Sequence, residues 1–380
     1  MGTVTVTPWS CTIDDRSMTE RPTNGTSPLP ALDGLRTWRE ASTSGSAIAA
    51  ALASARSAER EMAELFAHAD RVVLTGAGSS YYLAQVTAAV AREMTGRIVV
   101  AAPLSELILR PTGVLGTGLT GRQPVIIISR SGSTSEALDV AERVRRAGHL
   151  TIAVTCRANS PLAARAHRVL VSSAGDEQAI VMTRSFASML ALLLRLVAGV
   201  APDRSLAHDL DRMPERWPEA VAAADVGHRL GSVNHRRIVV LGGGPARGIA
   251  DEWCLKLTET SQVPANAYEP LEFRHGPISV CEPGVLVVGL IGGPGATEEA
   301  RVLREAGGLG AETWLVDLES SEDRAVAGWI SLVGSDLHPW ARLPLLLYPA
   351  QALALTLALV RGRDPDSQRH LGQVVLLDPA

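Results

Sequence analysis

The stretch "VIIISRSGSTSEAL", Val125 to Leu138, carries a strand pattern, a hydroxyl-rich turn and a helix pattern in immediate succession. The β-branched apolar run from Val125 to Ile128 favours a buried strand. The turn that follows is rich in serine, and Ser135 opens a segment with helical spacing. Strand, turn and helix in this order form the repeating unit of a parallel α/β sheet. The stretch therefore decides the fold class and raises the question of what needs so many hydroxyls.

The same unit recurs on both sides of this stretch. Runs of strand-forming residues alternate with helical patterns, which predicts two doubly wound parallel-sheet domains of the α/β class in tandem. We expect a Ser-, Thr-, Pro- and Gly-rich tail that tolerates disorder (1–45), a first domain (46–210) and a second domain (220–380). The predicted strands are 71–76, 97–103, 124–129, 150–155, 167–173, 237–244, 285–292, 313–318 and 329–334.

Length and composition narrow the class of protein. At 380 residues the chain exceeds the usual size of one hydrophobic core. The net charge of −4 comes without a basic block, which argues against nucleic acid as a partner. The four cysteines show no CxxC spacing, so we expect neither a metal nor a redox cofactor. No secretory signal is recognisable, and the apolar run from Leu343 to Val360 is interrupted by prolines, so we expect a cytoplasmic protein with a buried core helix there.

Lys256 is the only lysine in the sequence, and all other basic residues are arginine. A bias that replaces lysine by arginine explains the pattern, and a lysine that survives it suggests a need for a compact, titratable ammonium. The alternative is a chance survivor without a special role.

A glycine-containing turn, "VVLTGAGSSYYLAQ" (Val72 to Gln85), follows the first predicted strand. It places Ser79 and Ser80 at a helix N-terminus, where N–H groups and the helix dipole favour an anion. A dinucleotide fingerprint is disfavoured because Tyr81 occupies the third glycine position. The turn "GGGPARG" (Gly242 to Gly248) in the second half also resembles a nucleotide loop, but a structural turn is favoured there.

The hydroxyl-rich loop contributes Ser129, Ser131, Ser133 and Thr134. Together with loop and helix N–H groups, these hydroxyls suit a phosphate monoester. Helix capping by Ser133 or Thr134 is the alternative, but one cap explains only one hydroxyl. Two hydroxyl-bearing loops on neighbouring strands favour a phosphate pocket.

A third group of polar residues lies in "DEWCLKLTETSQVPANAYEPLEFRHGP", Asp251 to Pro277. Glu252, Lys256 and Glu259 have the spacing that puts three side chains on one helix face. An exposed, salt-bridged face would show the same spacing. The unique lysine in its centre and His275 in the following Gly-Pro turn favour a functional site.

These features together resemble the sugar isomerase (SIS) domain family. The arrangement is that of the isomerase half of glucosamine-6-phosphate synthase and of the amino-sugar-phosphate deaminases and isomerases. The resemblance covers nearly all of the chain after residue 70. The matching segments are "GAGSSYY", "SRSGSTSEA", "EQAIVMTRSF", "EWCLKLTET", "EFRHGP" and "RGRDPDSQRHLGQV".

The resemblance implies two flavodoxin-like domains, a homodimer with sites near its interface, and roles for individual residues. Glu259 matches the family's proton-transfer base, Lys256 its active-site lysine, and His275 its ring-opening histidine, which usually reaches into the neighbouring subunit's site. The substrate-binding candidates are Ser79, Ser80, Ser129, Ser131, Ser133, Thr134, Thr183, Glu252 and Gln373.

Two departures from the synthase affect the expected activity. The chain shows no glutaminase domain before its first helix, so we expect no glutamine-dependent synthesis. Gln373 stands where the synthase has a lysine for the open-chain ketose, and an amide cannot form a Schiff base. The resemblance implies conversion of a hexosamine 6-phosphate to a ketose 6-phosphate with ammonia release, without a metal or other cofactor. Aldose–ketose isomerisation, deglycation of a ketosamine phosphate and non-catalytic sugar-phosphate sensing remain open.

Overall fold

The computed structural model describes residues 31–116, 122–317, 328–330 and 334–376. Within these residues the strands form two five-stranded sheets, in the orders β2-β1-β3-β4-β5 and β10-β9-β8-β6-β7. All pairings are parallel. The strands are β1 Val72–Gly76, β2 Val99–Pro103, β3 Pro124–Ile128, β4 Leu150–Thr155, β5 Arg168–Val171, β6 Arg237–Gly242, β7 Ala265–Tyr268, β8 Val285–Ile291, β9 Glu312–Asp317 and β10 Gly328–Ile330.

Helices connect the strands and cover both faces of each sheet. Short 3-10 turns at 173–175, 213–216, 277–280 and 339–346 supplement them. The α-helices are α1 Arg36–Ala41, α2 Ser44–Ala67, α3 Ser79–Thr95, α4 Leu104–Leu109, α5 Pro111–Leu115, α6 Ser135–Arg146, α7 Pro161–Arg165, α8 Arg184–Val200, α9 Ser205–Arg212, α10 Trp217–Gly231, α11 Pro245–Ser261, α12 Pro270–Phe273, α13 Ala296–Gly308 and α14 Leu347–Val360.

The predicted fold class is confirmed, and both sheets show the flavodoxin-like strand order 2-1-3-4-5 when numbered within their own domain. Each predicted strand is present, and its ends agree with the prediction to within two residues, apart from the end of β10, which borders residues outside the described part of the chain. Strand β7 is not predicted from the sequence, because Ala265, Asn266 and Ala267 lack strand-forming side chains. Residues 1–45 are predicted to form a tail. Of these, 31–45 are described, and they form α1 and the start of α2.

The helix α1 is held by the distant C-terminal region rather than by its own sequence. Asp366 accepts hydrogen bonds from the backbone N–H groups of Arg36 and Thr37 and from the Thr37 hydroxyl at 2.7, 2.8 and 2.6 Å. A short segment with little periodicity is therefore ordered through a contact that no local pattern reveals.

The apolar segment that raised a membrane question lies in the core. Among the described residues, Pro339–Val360 is long and apolar enough to span a membrane, and 89% of its apolar window is buried inside the protein. The helix α14 packs against α10 and α11. This confirms the expectation of a core helix.

The two domains meet where α3 crosses α11. At the crossing, a Cβ added to Gly248 would lie 2.6 Å from Cγ2 of Val86 and 2.9 Å from the Tyr82 carbonyl oxygen. Only glycine permits so close an approach of the helices. The crossing brings the polar face of α11 to the carboxyl ends of β1 and β3.

Candidate active site

A cavity of about 200 Å³ lies at the carboxyl ends of β1 and β3, where the strand order reverses. This switch point is the usual ligand site of an open α/β sheet. Its lining joins the two predicted hydroxyl loops to the second domain. The lining residues are Ala77, Gly78, Ser79, Ser80, Ser129, Arg130, Ser131, Thr134, Glu136, Ile180, Met182, Glu259, Gln373 and Val375.

The turn between β1 and α3 forms one wall. A Cβ on Gly76 would lie 2.4 Å from the backbone of Ser80, and Gly78 adopts φ +55°. These two glycines let the chain turn tightly enough to place Ser79 and Ser80 at the first two positions of α3. Both residues line the cavity, so the N-terminus of this 17-residue helix lies at its wall.

The loop between β3 and α6 forms the opposite wall. Thr134 is the N-cap residue of α6, yet its side chain makes no capping hydrogen bond. Ser131 and Thr134 both line the cavity. The capping alternative is thus not supported for Thr134. Gly132, with φ +61°, lies so close to Ser160 that a Cβ would be 2.2 Å from Oγ, which fixes the loop against α7.

Helix α11 supplies the acid–base groups. Glu252, Lys256 and Glu259 share one face, as their spacing predicted, and Lys256 Nζ contacts carboxylate oxygens of both neighbours. The face is not exposed: the side chains of Glu252, Lys256 and Glu259 are 1%, 3% and 20% accessible. Of the three residues, Glu259 lines the cavity. Ser79 donates a hydrogen bond to Oε1 of Glu252 at 3.2 Å, which joins the two domains at the site.

Burial and charge set the protonation states of this group. Burial raises the pKa of Glu252 to about 8, against the opposing effect of the Lys256 ammonium. Burial disfavours the Lys256 ammonium, but the Glu252 and Glu259 carboxylates outweigh it and raise the pKa of Lys256 above its ordinary value. The raised pKa keeps Lys256 charged at neutral pH, as a compact point charge between its two neighbours.

The structure adds two functional candidates that sequence reasoning missed, Arg130 and Glu177. Arg130 lies within the hydroxyl loop, lines the cavity, and is 7% accessible. Its guanidinium stands 3.7 Å from the fully buried carboxylate of Glu177. A basic residue inside a phosphate-type loop was the available signal for Arg130. No local signal marks Glu177, because its contacts are made by folding.

Several predicted site residues lie outside the cavity lining. Ser133 is turned toward its own loop, and its hydroxyl donates to the Ser131 carbonyl oxygen at 3.3 Å. Thr183 is buried, and its hydroxyl donates to Glu177. His275 stands on an exposed turn of the second domain. Gln373 does line the cavity, but its amide donates to the Glu177 carbonyl oxygen at 2.9 Å, so this group holds the protein backbone.

The family model described as "SIS domain" matches residues 65–198 and 233–323 of this sequence. The chain belongs to the SIS domain family. The match includes both hydroxyl loops and the α11 face, so the geometry above is that of an SIS protein.

Relatives of the chain act in phosphorylated-sugar chemistry, according to their names. A Streptomyces coelicolor protein assigned provisionally as a D-galactosamine-6-phosphate deaminase is 32% identical over 80% of this chain and 82% of its own length. A glutamine–fructose-6-phosphate aminotransferase of Tropheryma whipplei is 30% identical over 81% of this chain. The alignment spans only 52% of that aminotransferase, so the chain corresponds to about half of it.

Solved structures of similar fold include deaminases and isomerases. The glucosamine-6-phosphate deaminase of Thermotoga maritima is 26% identical, covers 86% of this chain and all of its own, and superposes with a TM-score of 0.68. The tagatose-6-phosphate ketose/aldose isomerase of Escherichia coli, 24% identical with a TM-score of 0.78 over 91% of this chain and 99% of its own, shares the fold. Sequence and fold together support an enzyme of the phosphosugar isomerase and deaminase type.

Proposed function

We propose that the protein is an amino-sugar 6-phosphate deaminase and isomerase. It would convert a hexosamine 6-phosphate and water to a ketose 6-phosphate and ammonia. The observation that carries the proposal is the placement of the Glu259 carboxylate, paired with the buried Lys256 ammonium, in one cavity with hydroxyl loops suited to a phosphate.

The phosphate end of the substrate would bind between the two loops. Hydroxyls of Ser80, Ser129, Ser131 and Thr134 line this part of the cavity, and the N-termini of α3 and α6 point toward it. Helix N-termini favour a dianion, and hydrogen bonds to a charged group are about twice as strong as neutral ones. This end of the site would anchor and orient the sugar.

The sugar carbons would then lie beside Glu259. In the open-chain form, Glu259 would take the proton from C2 and return it to C1 through an enolamine, leaving an imine at C2. Water would add to the imine, and ammonia would leave. The adjacent Lys256 ammonium would stabilise the negative charge that develops on O1. No step requires an imine with the protein, which accords with Gln373 at the position of the synthase's lysine.

Ring opening would use His275 of a second protomer. His275 lies on an exposed turn away from the cavity of its own chain. We therefore propose a homodimer in which this turn reaches the partner's cavity and moves the proton between the ring oxygen and the C1 hydroxyl. A cytoplasmic location is proposed as well, where phosphorylated sugars are formed.

The test is ammonia release from a panel of hexosamine 6-phosphates, run beside ketose–aldose isomerisation assays. Glu259→Gln should abolish turnover and change the Kd for glucosamine 6-phosphate by less than about tenfold, because the base is needed for chemistry more than for binding. Isomerisation without ammonia release would favour the plain isomerase. Release of an amine from a ketosamine phosphate would favour a deglycase, and binding without any turnover would favour a sensor.

A further inference from the structure

A buried arginine links the phosphate loop to the C-terminal segment. Arg130 donates from Nη1 to the Ala179 carbonyl oxygen at 3.0 Å and from Nη2 to the carbonyl oxygens of Ile180 and Gln373 at 3.0 and 3.1 Å. These three acceptors belong to two segments that are far apart in sequence. A planar guanidinium can hold several acceptors in fixed directions, whereas a lysine ammonium cannot reproduce this fork.

The two segments held by Arg130 form one side of the cavity. Ile180 and Met182 come from the 177–183 loop, and Gln373 and Val375 come from the C-terminal segment. The segments are also joined directly, because the Gln373 amide donates to the Glu177 carbonyl oxygen at 2.9 Å. The 177–183 loop is folded around the buried Glu177 carboxylate, which accepts hydrogen bonds from Thr183 and Ser185.

The C-terminal segment also contacts the phosphate side of the cavity. The backbone N–H of Ser135, the first residue of α6, donates to the Val375 carbonyl oxygen at 3.3 Å. The segment 373–375 therefore runs from the Arg130 guanidinium to the N-terminus of α6. We call the hydrogen bonds from Arg130 to residues 179, 180 and 373 the clamp. Val375 is 56% accessible, so few apolar contacts hold this segment and its position depends on these polar bonds.

We propose that Arg130 is a positioning residue that holds the C-terminal segment 373–375 over the substrate cavity. Arg130 lies between Ser129 and Ser131. One loop would therefore both contact the phosphate and hold the segment 373–375 that covers the cavity. The inference deepens the proposed function, because it assumes that the cavity takes a sugar phosphate. The alternative is that Arg130 acts on the phosphate directly as a nearby positive charge.

A kinetic double-mutant cycle separates these two roles. Arg130→Ala and removal of residues 372–380 should each lower kcat/KM by on the order of a hundredfold, because small displacements of a closing segment cost that much. In the shortened chain, Arg130→Ala should cost far less than in the full chain, since the segment it positions is gone. Equal fold losses in both chains, or an unchanged kcat/KM after the deletion, would overturn the proposal.

Arg130→Lys gives a second, less disruptive variant. It keeps a positive charge near the phosphate but loses the three-acceptor fork. Positioning predicts a loss close to that of Arg130→Ala, whereas a direct charge effect predicts that most activity is retained. Arg157→Ala is the matched control, because Arg157 pairs with Asp176 at 3.1 Å beside the 177–183 loop. Within the described part of the chain, it forms no hydrogen bond or ion pair with the C-terminal segment. Arg157→Ala should leave kcat/KM unchanged.

A measurement on the protein without substrate tests whether Arg130 holds the C-terminal segment, independently of the proposed enzymatic function. Amide hydrogen exchange of Ser135 and of residues 371–376 should be faster in Arg130→Ala and Arg130→Lys than in the unmodified protein and in Arg157→Ala. Equal exchange in all four proteins would refute the clamp. If no hexosamine 6-phosphate is turned over but the exchange differs as expected, the proposed function fails and the clamp stands.

Discussion

The surroundings of Lys256 explain why this position holds a lysine and not an arginine. Its side chain is 3% accessible and lies between the carboxyl groups of Glu252 and Glu259. A guanidinium is larger, is planar and spreads its charge, so it does not fit a site built for a point charge. This burial agrees with the survival of one lysine in a chain that otherwise uses arginine.

We expect Lys256→Arg to lower kcat/KM on the order of a hundredfold, equivalent to about 2.7 kcal/mol. Overpacking should also lower the free energy of unfolding by about 1–3 kcal/mol. Steady-state kinetics well below the thermal midpoint, together with a melting curve, measure both effects. The reverse exchange at an exposed site, Arg301→Lys, is the control and should change neither. Normal turnover of Lys256→Arg would make the lysine a chance survivor.

Glu252 gives the protein a pH-dependent stability term. Oε2 of this buried carboxyl group has no hydrogen-bond partner within the described residues, and burial raises its pKa to about 8. The folded chain therefore retains a proton between pH 4.5 and 8 that the unfolded chain has lost. A folded state that binds the extra proton loses stability as pH rises through this window.

Glu252→Gln should flatten this dependence, because the amide keeps the acceptor for Ser79 but does not titrate. The measurement is the urea midpoint at pH 5.5 and at pH 8, for this variant and for the unmodified protein. Glu298→Gln, at an exposed position, should keep the original pH dependence. A slope that is identical in Glu252→Gln and the unmodified protein would mean that Glu252 is already ionised in the folded state.

At the scale of elements, the loop between β3 and α6 determines which hydroxyl-bearing residues line the cavity. It presents Ser131 and Thr134 to the cavity while Ser133 is turned away. Ser131→Ala with Thr134→Ala should raise KM for a phosphorylated sugar by an amount equivalent to about 1–3 kcal/mol, from the loss of hydrogen bonds to a charged group. Ser133→Ala should not change KM. If all three substitutions leave KM unchanged, phosphate does not bind at this loop.

The sequence predicted the elements that carry strong local patterns and missed those defined by contacts. The Val125 run and the Gly76 turn have unambiguous periodicity and turn chemistry, so β1, β3 and their loops were predictable. β7 was not, because Asn266 and its alanine neighbours become a strand only by pairing with β6. The α11 face was predictable from spacing, but its burial depends on packing against α3.

In the candidate site, too, residues in short motifs were predictable and residues defined by tertiary contacts were not. Hydroxyls and acid–base residues were found because their chemistry is visible in short motifs. Arg130 was overlooked because its three acceptors come from residues 179, 180 and 373, which only the fold brings together. For the same reason the amide of Gln373 was considered for substrate rather than for the backbone of Glu177.

At the scale of the whole molecule, the two domains repeat one arrangement of strand, glycine turn and helix. The turns Gly76–Gly78 and Gly242–Gly244 have the same conformation, with φ and ψ of 55° and −129° at Gly78 and 52° and −125° at Gly244. Each turn precedes a helix of 17 residues. The two sheets also share one strand order. Duplicated architecture alone would thus predict two ligand sites per chain.

The turn at Gly242–Gly244 lacks several of the polar side chains found at the turn of the first domain. Pro245 and Ala246 begin α11 where Ser79 and Ser80 begin α3. At the helix positions equivalent to Glu252 and Lys256, α3 carries Val86 and Val90. Glu93 stands at the position equivalent to Glu259, but it accepts a hydrogen bond from Trp340 Nε1 at 2.9 Å. Oε1 of Glu299 would lie 2.5 Å from a Cβ at Gly243, so this carboxyl group fills the turn itself. Burial raises the pKa of Glu299 to about 7, with a further contribution from Glu269. Glu299 is therefore only partly ionised at neutral pH, and its ionised form opposes a phosphate dianion.

We therefore expect one phosphosugar to bind per chain. Isothermal titration of the inactive Glu259→Gln variant with glucosamine 6-phosphate should give a stoichiometry near one per chain, since turnover no longer consumes the ligand. Adding Ser131→Ala and Thr134→Ala should weaken that single binding event, because the proposed phosphate site uses these two hydroxyls of the first domain. A second binding event that survives these substitutions would show that the Gly242–Gly244 turn accepts phosphate despite Glu299. The two glycine turns would then be functionally equivalent.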